Sequence, residues 1–535
     1  MALLRSDGQL REDRQPRERQ RPRRDDGRPP GSAAVLTAVC LGLMLSMYNA
    51  TVVNVMLPDI RVSLHASETG LQWVAALYSL CYAALLLAGG ALGERLGKRM
   101  TFLGGVAAFT IGSAACAAAP TLAALLAARA VQAIGVAVLI PQTLSILVTE
   151  YTDPARRARA VGIWAGAASL GLAAGPVVGG AITSVASWRM GFMLSVVLGV
   201  ISVALGFLVI PRARYGRPAS PVRPDFIGAV LSTLTLAGLT YGLIESSTVG
   251  WSSPAIIGAL VLTAVAAAGF IATQRAAGRR GRQPLMPLEL WRRPRFIAAN
   301  LSALGYFVML YGVLYFYSVD LQQYKHYSTL AAGLAFLPMT ILMALLGPVA
   351  GRLSARFATT PVMVAGLIGA AAGSLALALL PADGSVVDVG WRFALVGIGS
   401  GLMNSPMSNT AVSSAAARHS GAASATHNTF RQIGGTLGVA ALGTIVAAGH
   451  HGTSGIIAAF PAGLRHAMAA VAASLAVCAV IVAILGKQPR GRHSARWQLV
   501  ARGLRSPDRS RELSLPFLSA GTRPVHSRGA WPARR

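Results

Sequence analysis

Long apolar runs alternate with short polar connectors along most of the chain. The hydrocarbon core of a bilayer is about 30 Å thick and takes a helix of about 20 mostly apolar residues. Runs of that size predict fourteen membrane-spanning helices, which we number as spans 1 to 14. By residue number they are 33–57, 71–92, 101–118, 121–147, 161–185, 190–210, 226–243, 255–271, 296–317, 330–350, 361–380, 393–412, 433–448 and 467–485. An even number of spans places both termini on the same side of the membrane.

Basic residues assign that side. Every loop that follows an even-numbered span carries arginine or lysine, with seven arginines between residues 272 and 295. The alternate loops hold five basic residues, which are Arg61, Arg189, Lys325, Arg392 and Arg465. Because cytoplasmic loops carry the excess of Lys and Arg, we predict a multi-pass plasma-membrane protein with both termini in the cytoplasm.

Composition favours a membrane protein over a soluble enzyme. Of the 535 residues, 54% are hydrophobic and 13% are charged, against about 25% charged in a typical soluble domain. The net charge of +29 includes two tails rich in Arg and Pro, residues 1–32 and 487–535. We predict that these tails are disordered and cytoplasmic. They lack the pattern of a nucleic-acid reader, so the predicted partner is the anionic lipid surface and not nucleic acid.

A short repeat divides the spans into two halves. The loop after span 2 reads GALGERLGKR over residues 90–99, and the loop after span 10 reads GPVAGRLSAR over residues 347–356. This predicts one six-helix bundle over 33–210, an inserted helix pair with its loops over 211–295, and a second six-helix bundle over 296–486. Repeated halves are typical of transporters whose substrate path follows the repeat interface. Chance similarity of two short basic loops is the alternative.

Three motifs carry a resemblance to a known family. The loop between spans 2 and 3 is similar to GxLaDrxGrk, with Glu94 in place of the usual Asp. Span 4 reads RAVQAIG over 129–135, similar to RxxQGxG, and span 5 reads GLAAGPVVGG over 171–180, similar to GxxxGPxxGG. The sequence therefore resembles the major facilitator superfamily and, within it, the fourteen-helix drug:proton antiporters.

The resemblance implies an all-α integral membrane protein with two six-helix bundles and two inserted helices. It also implies a bacterial transporter that exports a hydrophobic small molecule, a drug or an antibiotic, by alternating access. Such a protein is expected to work as a monomer without a cofactor, with the proton gradient as its source of energy.

Arg129 and Gln132 are the candidates for coupling. Arg129 lies inside span 4, where a guanidinium costs several kcal/mol unless it is paired or hydrated. We expect Arg129 to act on a nearby protonation site, with Gln132 hydrogen-bonding one helical turn along. An arginine that only ties two helices together is the alternative.

Two groups of residues are assigned conformational roles. In span 5 we predict a hinge and seal, because three glycines on one face admit a close neighbouring helix and the proline removes a backbone hydrogen bond. The residues of that group are Gly171, Gly175, Pro176, Gly179 and Gly180. In the loop between spans 2 and 3 we predict a latch between helix ends, made of Gly90, Glu94, Arg95, Gly97 and Arg99.

Four residues are candidates for substrate binding: Asn49, Tyr311, Tyr315 and Asn404. Asn49 stands where the family pattern LDxTxVNVALP has a titratable Asp, so the proton-carrying residue is not identified and neutral or anionic substrates are expected. Tyr311 and Tyr315 continue a stripe that starts at Phe307, which fits either a drug pocket or helix packing. Asn404 lies close to Pro406 and binds either substrate or the backbone that the proline opens.

Other functions fit the sequence less well. A facilitator of the same fold that moves a metabolite or lipid, without proton coupling at the span 1 site, is the main alternative to an exporter. A membrane enzyme is disfavoured because the sequence lacks HExxH, GxSxG and P-loop patterns. The sequence predicts no metal site, and the four cysteines lie inside apolar runs.

Overall fold

The computed structural model describes residues 33–151, 153–211, 225–279, 286, 288–381, 384–415, 420–448 and 456–486. Within these ranges the fold is helical without a strand, and fourteen helices are long and apolar enough to cross a membrane. The all-α fold class predicted from the sequence is confirmed. The two predicted tails lie outside the described residues.

Each predicted span is a helix. The first six are Ala33–Leu64, Glu68–Leu96, Lys98–Ala118, Leu122–Glu150, Pro154–Val185 and Trp188–Val209, and the inserted pair is Phe226–Val249 and Pro254–Arg279. The last six are Pro294–Val319, Thr329–Ala335 continued by Leu337–Phe357, Thr359–Ala378, Val386–Ser413, Ser420–Ala448 and Ile456–Leu485. A 3-10 helix, Leu288–Arg292, precedes span 9, and a π-helical segment, Asp320–Tyr324, follows it.

Short polar side chains set several helix starts. The hydroxyls of Ser67 and Thr121 accept the backbone N–H groups three residues ahead of them, and the Asp153 carboxylate does the same at the start of span 5. These caps satisfy donors that the first helical turn leaves without intrahelical partners.

The predicted starts of spans 13 and 14 were wrong, because both helices begin more than ten residues earlier than the apolar runs. The first turns of span 13 carry His427 and Gln432, whose side chains are buried in protein. A hydropathy window ends at such polar residues, although they never meet lipid.

Helix packing follows the same scheme in both halves. The main pairs in the first half are spans 3 and 4, 1 and 5, 2 and 4, 3 and 6, and 1 and 6. In the second half they are spans 11 and 12, 9 and 13, 10 and 12, 11 and 14, and 9 and 14. Each second-half pair is a first-half pair moved by eight spans, so the tertiary structure contains a repeated six-span unit. The domain boundaries given above stay predictions.

Two seams join the halves: span 2 packs against span 13, and span 5 packs against span 10. The inserted pair covers the first seam, because span 7 packs on both spans 2 and 13. The Trp73 indole N–H donates to Glu245 at 2.7 Å and fixes span 7 to span 2. The Thr444 hydroxyl donates to the Leu243 carbonyl at 3.0 Å and fixes span 7 to span 13.

Among the described residues, the hydrogen bonds between the halves lie at one end of the bundle. We call the end where even-numbered spans finish the basic end, and the other end the opposite end. At the opposite end, Ser318 Oγ donates to the Asn54 carbonyl at 2.6 Å, Gln322 Nε2 to the Val55 carbonyl at 3.1 Å, and Arg61 Nη1 to Gln323 Oε1 at 2.7 Å. Spans 1 and 9 are therefore tied together there.

The basic ends of spans 5 and 10 have open space beside them. Among the described residues, no atom outside the local helix lies within 4 Å of the position that a Cβ would take on Gly162 or Gly166 of span 5, or on Gly347 of span 10. The described hydrogen bonds between the halves therefore lie at the opposite end, and these three glycines near the basic end have open space beside them.

Candidate functional site

Arg129 is the largest polar side chain buried in the first half, with 1% of its surface exposed. Its Nη1 donates to Asn49 Oδ1 at 2.7 Å and to Gln132 Oε1 at 3.2 Å, and its Nε donates to the Val74 carbonyl at 3.2 Å. The guanidinium carbon lies 4.6 Å from the ring centroid of Tyr78. Arg129 therefore joins spans 1, 2 and 4 through neutral groups and a π face.

Asn49 and Gln132 complete this polar cluster. Asn49 is fully buried and accepts from Arg129, while its Nδ2 has no hydrogen-bond partner among the described residues. Gln132 Nε2 donates to Ser113 Oγ of span 3 at 2.8 Å. The structure thus brings Asn49, Arg129 and Gln132 into one network and leaves a buried amide donor unused, which is a costly arrangement unless a ligand or water accepts from it.

The second half contains a comparable arginine, Arg431 in span 13, which our selection of site residues missed. Its guanidinium carbon lies 4.7 Å from the Phe307 ring centroid, and its Nη1 donates to Asn428 Oδ1 at 3.3 Å. Its Nε is buried without a partner among the described residues. Arg431 precedes the apolar run from which span 13 was predicted. His427 and Arg431 are four residues apart and therefore lie on one face of a helix. This polar helix face is the sequence signal that could have identified Arg431.

The aromatic stripe of span 9 packs inside the protein. Tyr311 is 6% exposed and lies against span 13, where a Cβ on Gly435 would come within 3.3 Å of its ring. Tyr315 is fully buried, and its hydroxyl has no partner among the described residues. In this conformation both tyrosines are packing residues, and their role in substrate binding stays a prediction.

Asn404 belongs to a polar patch between spans 12 and 13. Its backbone carbonyl accepts from Ser408 Oγ at 3.0 Å, and Ser408 Oγ lies 3.2 Å from His427 Nε2. The Asn404 side chain is half-buried. Ser408 thus donates to a backbone carbonyl near Pro406 and also contacts His427 of span 13. Both roles predicted for Asn404 stay open.

The span 5 motif has two faces with different neighbours. Gly171, Gly175 and Gly179 lie against span 1, and the Thr51 hydroxyl donates across that contact to the Leu172 carbonyl at 3.0 Å. Gly180 faces span 10, where a Cβ on it would lie 2.7 Å from the Thr329 carbonyl oxygen.

Pro176 shares the Gly180 face. Its carbonyl is the nearest atom to the position of a Cβ on Gly333 of span 10. The three-glycine face therefore packs within the first half, and Pro176 and Gly180 form the contact between halves at the opposite end.

The loop between spans 2 and 3 turns at Gly97, which has φ 90° and donates its N–H to the Gly93 carbonyl at 3.1 Å. This conformation is easy only for glycine. The equivalent turn after span 10 uses Ala358, with φ 75°. A Cβ placed on Gly90 would lie 3.8 Å from the Pro141 side chain of span 4.

Charged residues of this loop hold neighbouring helices. Lys98 Nζ donates to Thr149 Oγ1 of span 4 at 2.7 Å, and Arg99 Nη2 donates to the Phe207 carbonyl of span 6 at 2.9 Å. The side chains of Glu94 and Arg95 lie outside the described residues. The proposed latch between helix ends stays a prediction.

Fourteen apolar helices, twelve of them in two repeated halves with buried polar clusters, define a multi-pass membrane protein of the transporter class. The family model of the Major Facilitator Superfamily matches residues 39–439. The chain belongs to this superfamily, and the resemblance drawn from its motifs is confirmed.

Curated relatives carry names of resistance and export proteins. The chain is 32% identical to the methylenomycin A resistance protein of Streptomyces coelicolor, over 79% of this chain and 86% of the relative. It is 33% identical to the cephamycin export protein CmcT of Amycolatopsis lactamdurans, over 86% and 94% of the two chains. It is 33% identical to the multidrug efflux pump LfrA of Mycolicibacterium smegmatis, over 79% and 82%.

Proposed function

We propose that this protein is a secondary active exporter of a hydrophobic small molecule, of the drug or antibiotic class, and that it works by alternating access. The observation that carries the proposal is its similarity to relatives named for resistance, export and efflux over more than three quarters of either chain. Its substrate path follows the interface between the repeated halves.

The contacts between the halves support alternating access. The opposite end is closed by hydrogen bonds between spans 1 and 9 and by the Gly180 contact between spans 5 and 10. A substrate released at that end has to pass where these contacts now lie. With the basic end in the cytoplasm, this conformation is the one that loads substrate from inside the cell.

The proton gradient is the proposed source of energy, and no cofactor is required. Asn49 does not titrate, so the proton has to be carried by another group. Among the described acidic and histidine residues, Glu150 at the end of span 4, Asp320 just after span 9 and His427 in span 13 are buried, with 5%, 4% and 2% of their surfaces exposed. The Asn49–Arg129 pair contains no group that exchanges a proton, which favours the second candidate, a facilitator without proton coupling at this site.

Transport by purified protein in proteoliposomes tests the proposal. An acidic lumen should drive accumulation of at least one labelled antibiotic from a panel of hydrophobic compounds, and an uncoupler should abolish it. Empty liposomes are the control. Equilibration without accumulation, unaffected by the uncoupler, would favour the facilitator, and a panel in which nothing moves would contradict both functions.

A further inference from the structure

Two arginines inside the spans, the buried Arg129 and the half-buried Arg431, have no carboxylate beside them among the described residues. Neither Arg129 nor Arg431 is in an ion pair within the described ranges, where the ion pairs are Arg61–Glu68 and Arg392–Asp388. The titratable neighbours of the two arginines are tyrosines, cysteines and, one helical turn before Arg431, His427. The protein thus places two positive charges at its interior and supplies neutral neighbours for both.

Arg431 is the more accessible of the two. Its side chain is half-buried, whereas Arg129 is 1% exposed. Asn428 takes one of its donors, at Nη1, and the Nε donor has no partner among the described residues. The Nε side of a guanidinium offers two parallel N–H groups, which match the two oxygens of a carboxylate.

Aromatic side chains surround this donor edge. Arg431 lies over the Phe307 ring, and the Phe307 and Tyr311 centroids are 6.1 Å apart. Tyr311 packs against Gly435, one helical turn beyond Arg431. Phe307 and Tyr311 therefore form an aromatic surface beside Arg431, which suits a flat apolar body.

Among the described residues no acidic side chain forms an ion pair with Arg431, since Glu68 of span 2 pairs with Arg61 and Glu289, ahead of span 9, is exposed. Asp320 is at the end of span 9, Glu245 is bonded to Trp73, and Asp388 is paired with Arg392 at the start of span 12. All three are near the opposite end. A charge that stays buried without a counter-ion is costly, so an anion brought by a ligand would be favoured at Arg431 and a cation would be disfavoured.

We infer that the substrate class of this transporter is an organic anion, a carboxylate on an aromatic or other apolar body, and that Arg431 binds the carboxylate. This inference rests on the proposed function. Asn49 also favours an anionic substrate, because its amide leaves the Arg129 charge uncompensated, whereas an aspartate would neutralise that charge. Phe307 and Tyr311 contact the apolar body.

Three probes with one ring system and different charge test the inference. They are 2-naphthoate, 2-naphthamide and the 2-naphthyltrimethylammonium cation, measured by equilibrium dialysis against the purified protein in detergent. We expect naphthoate to bind at least about tenfold more tightly than the cation, since one charge-assisted bidentate contact accounts for a factor of that size. Equal binding of the two ions would overturn the inference without any variant being made.

Variants then locate the anion site. Arg431→Gln should weaken naphthoate binding by about tenfold or more and change naphthamide binding less than about twofold, while Arg431→Lys should retain part of the naphthoate affinity. Arg465→Gln, which removes an exposed arginine at the opposite end, is the matched control and should bind like the wild type. Unchanged naphthoate binding by Arg431→Gln would assign the anion site to another residue and contradict the inference.

Failure of this inference differs from failure of the proposed function. If the proteoliposomes accumulate cations and the three probes bind equally, the protein is an exporter and the anion-site inference is contradicted. If the protein binds naphthoate selectively but transports no compound, the anion site is supported and the exporter function is contradicted.

Discussion

At the scale of single residues, one amide defines the chemistry of the first-half cluster. Asn49 accepts the shortest of the Arg129 hydrogen bonds, at 2.7 Å, where the family pattern has an acid. A carboxylate there would form a buried ion pair, but the amide leaves the charge on Arg129. The identity of residue 49 therefore decides whether this cluster is cationic or neutral.

Replacing Asn49 by Asp should make the cluster neutral. The new carboxylate lies within ion-pair distance of Arg129, so we expect uptake of a lipophilic cation to rise at least about threefold relative to a neutral probe. The measurement is uptake of both probes by wild-type and variant proteoliposomes. Strong cation uptake by the wild type that the variant does not alter would show that residue 49 does not set charge selectivity.

Asn54→Asp is the matched control for stability. Asn54 is in the same helix and is 2% exposed, but its amide donates to the Thr51 carbonyl. An aspartate at this position has no guanidinium beside it, so this variant should lose about 3–5 kcal/mol of stability, and Asn49→Asp should lose much less. Thermal unfolding of both variants in detergent measures the difference.

At the scale of elements, span 5 combines two functions on one helix. Gly171, Gly175 and Gly179 let it pack closely on span 1, and that contact moves with the first half. Pro176 and Gly180 contact span 10 of the second half, at the opposite end. The motif therefore packs span 5 closely on span 1 within one half and on span 10 of the other, and its role as a seal stays a prediction.

Gly180→Ala should weaken the seal. Its Cβ would lie 2.7 Å from a backbone oxygen of span 10, closer than real Cβ contacts allow, so the state closed at the opposite end loses stability. We expect the variant to populate the state open at that end, seen as faster thiol labelling of a single cysteine placed at Thr329.

Gly166→Ala, in the same helix at the basic end, meets nothing within 4 Å. It should label like the parent protein and serves as the control. Equal labelling of the Gly180 and Gly166 variants would mean that the contact between spans 5 and 10 does not hold the opposite end closed.

At the scale of the whole molecule, the described hydrogen bonds between the halves lie at one end, as expected for one state of the proposed alternating-access cycle. Arg61 of span 1 and Gln323 after span 9 are bonded across the halves, whereas the basic ends of spans 5 and 10 have space beside them. Rocking of rigid halves about a central site is the motion that such repeats allow. It requires the Arg61–Gln323 contact to break in every cycle.

A reversible crosslink across this contact should stop transport. In a background where the four native cysteines are replaced by alanine, Arg61→Cys and Gln323→Cys joined by a short bis-methanethiosulfonate should arrest uptake, and reduction should restore it. The single-cysteine variants treated in the same way are the control and should transport normally. Full transport by the crosslinked protein would contradict alternating access through the opposite end.

Hydrophobic periodicity determined the number and order of the spans, because lipid-facing helices must be apolar over the thickness of a bilayer. The motif in the loop after span 2 and its copy after span 10 indicated the repeat that the packing of spans 3 with 4 and 11 with 12 displays. The same sequence marked Arg129 as functional, because a charge inside an apolar run needs a reason to be there.

Only the tertiary structure decided which residues meet. Asn49 and Arg129 are 80 residues apart and bond through packing of spans 1 and 4. The early start of span 13 and the buried position of Arg431 beside Phe307 were hidden from hydropathy, since a polar residue shielded by other helices has the same sequence signal as one in a loop. Which residues of different helices contact each other depends on how the helices pack. Packing involves the whole chain, so a local sequence pattern does not predict it.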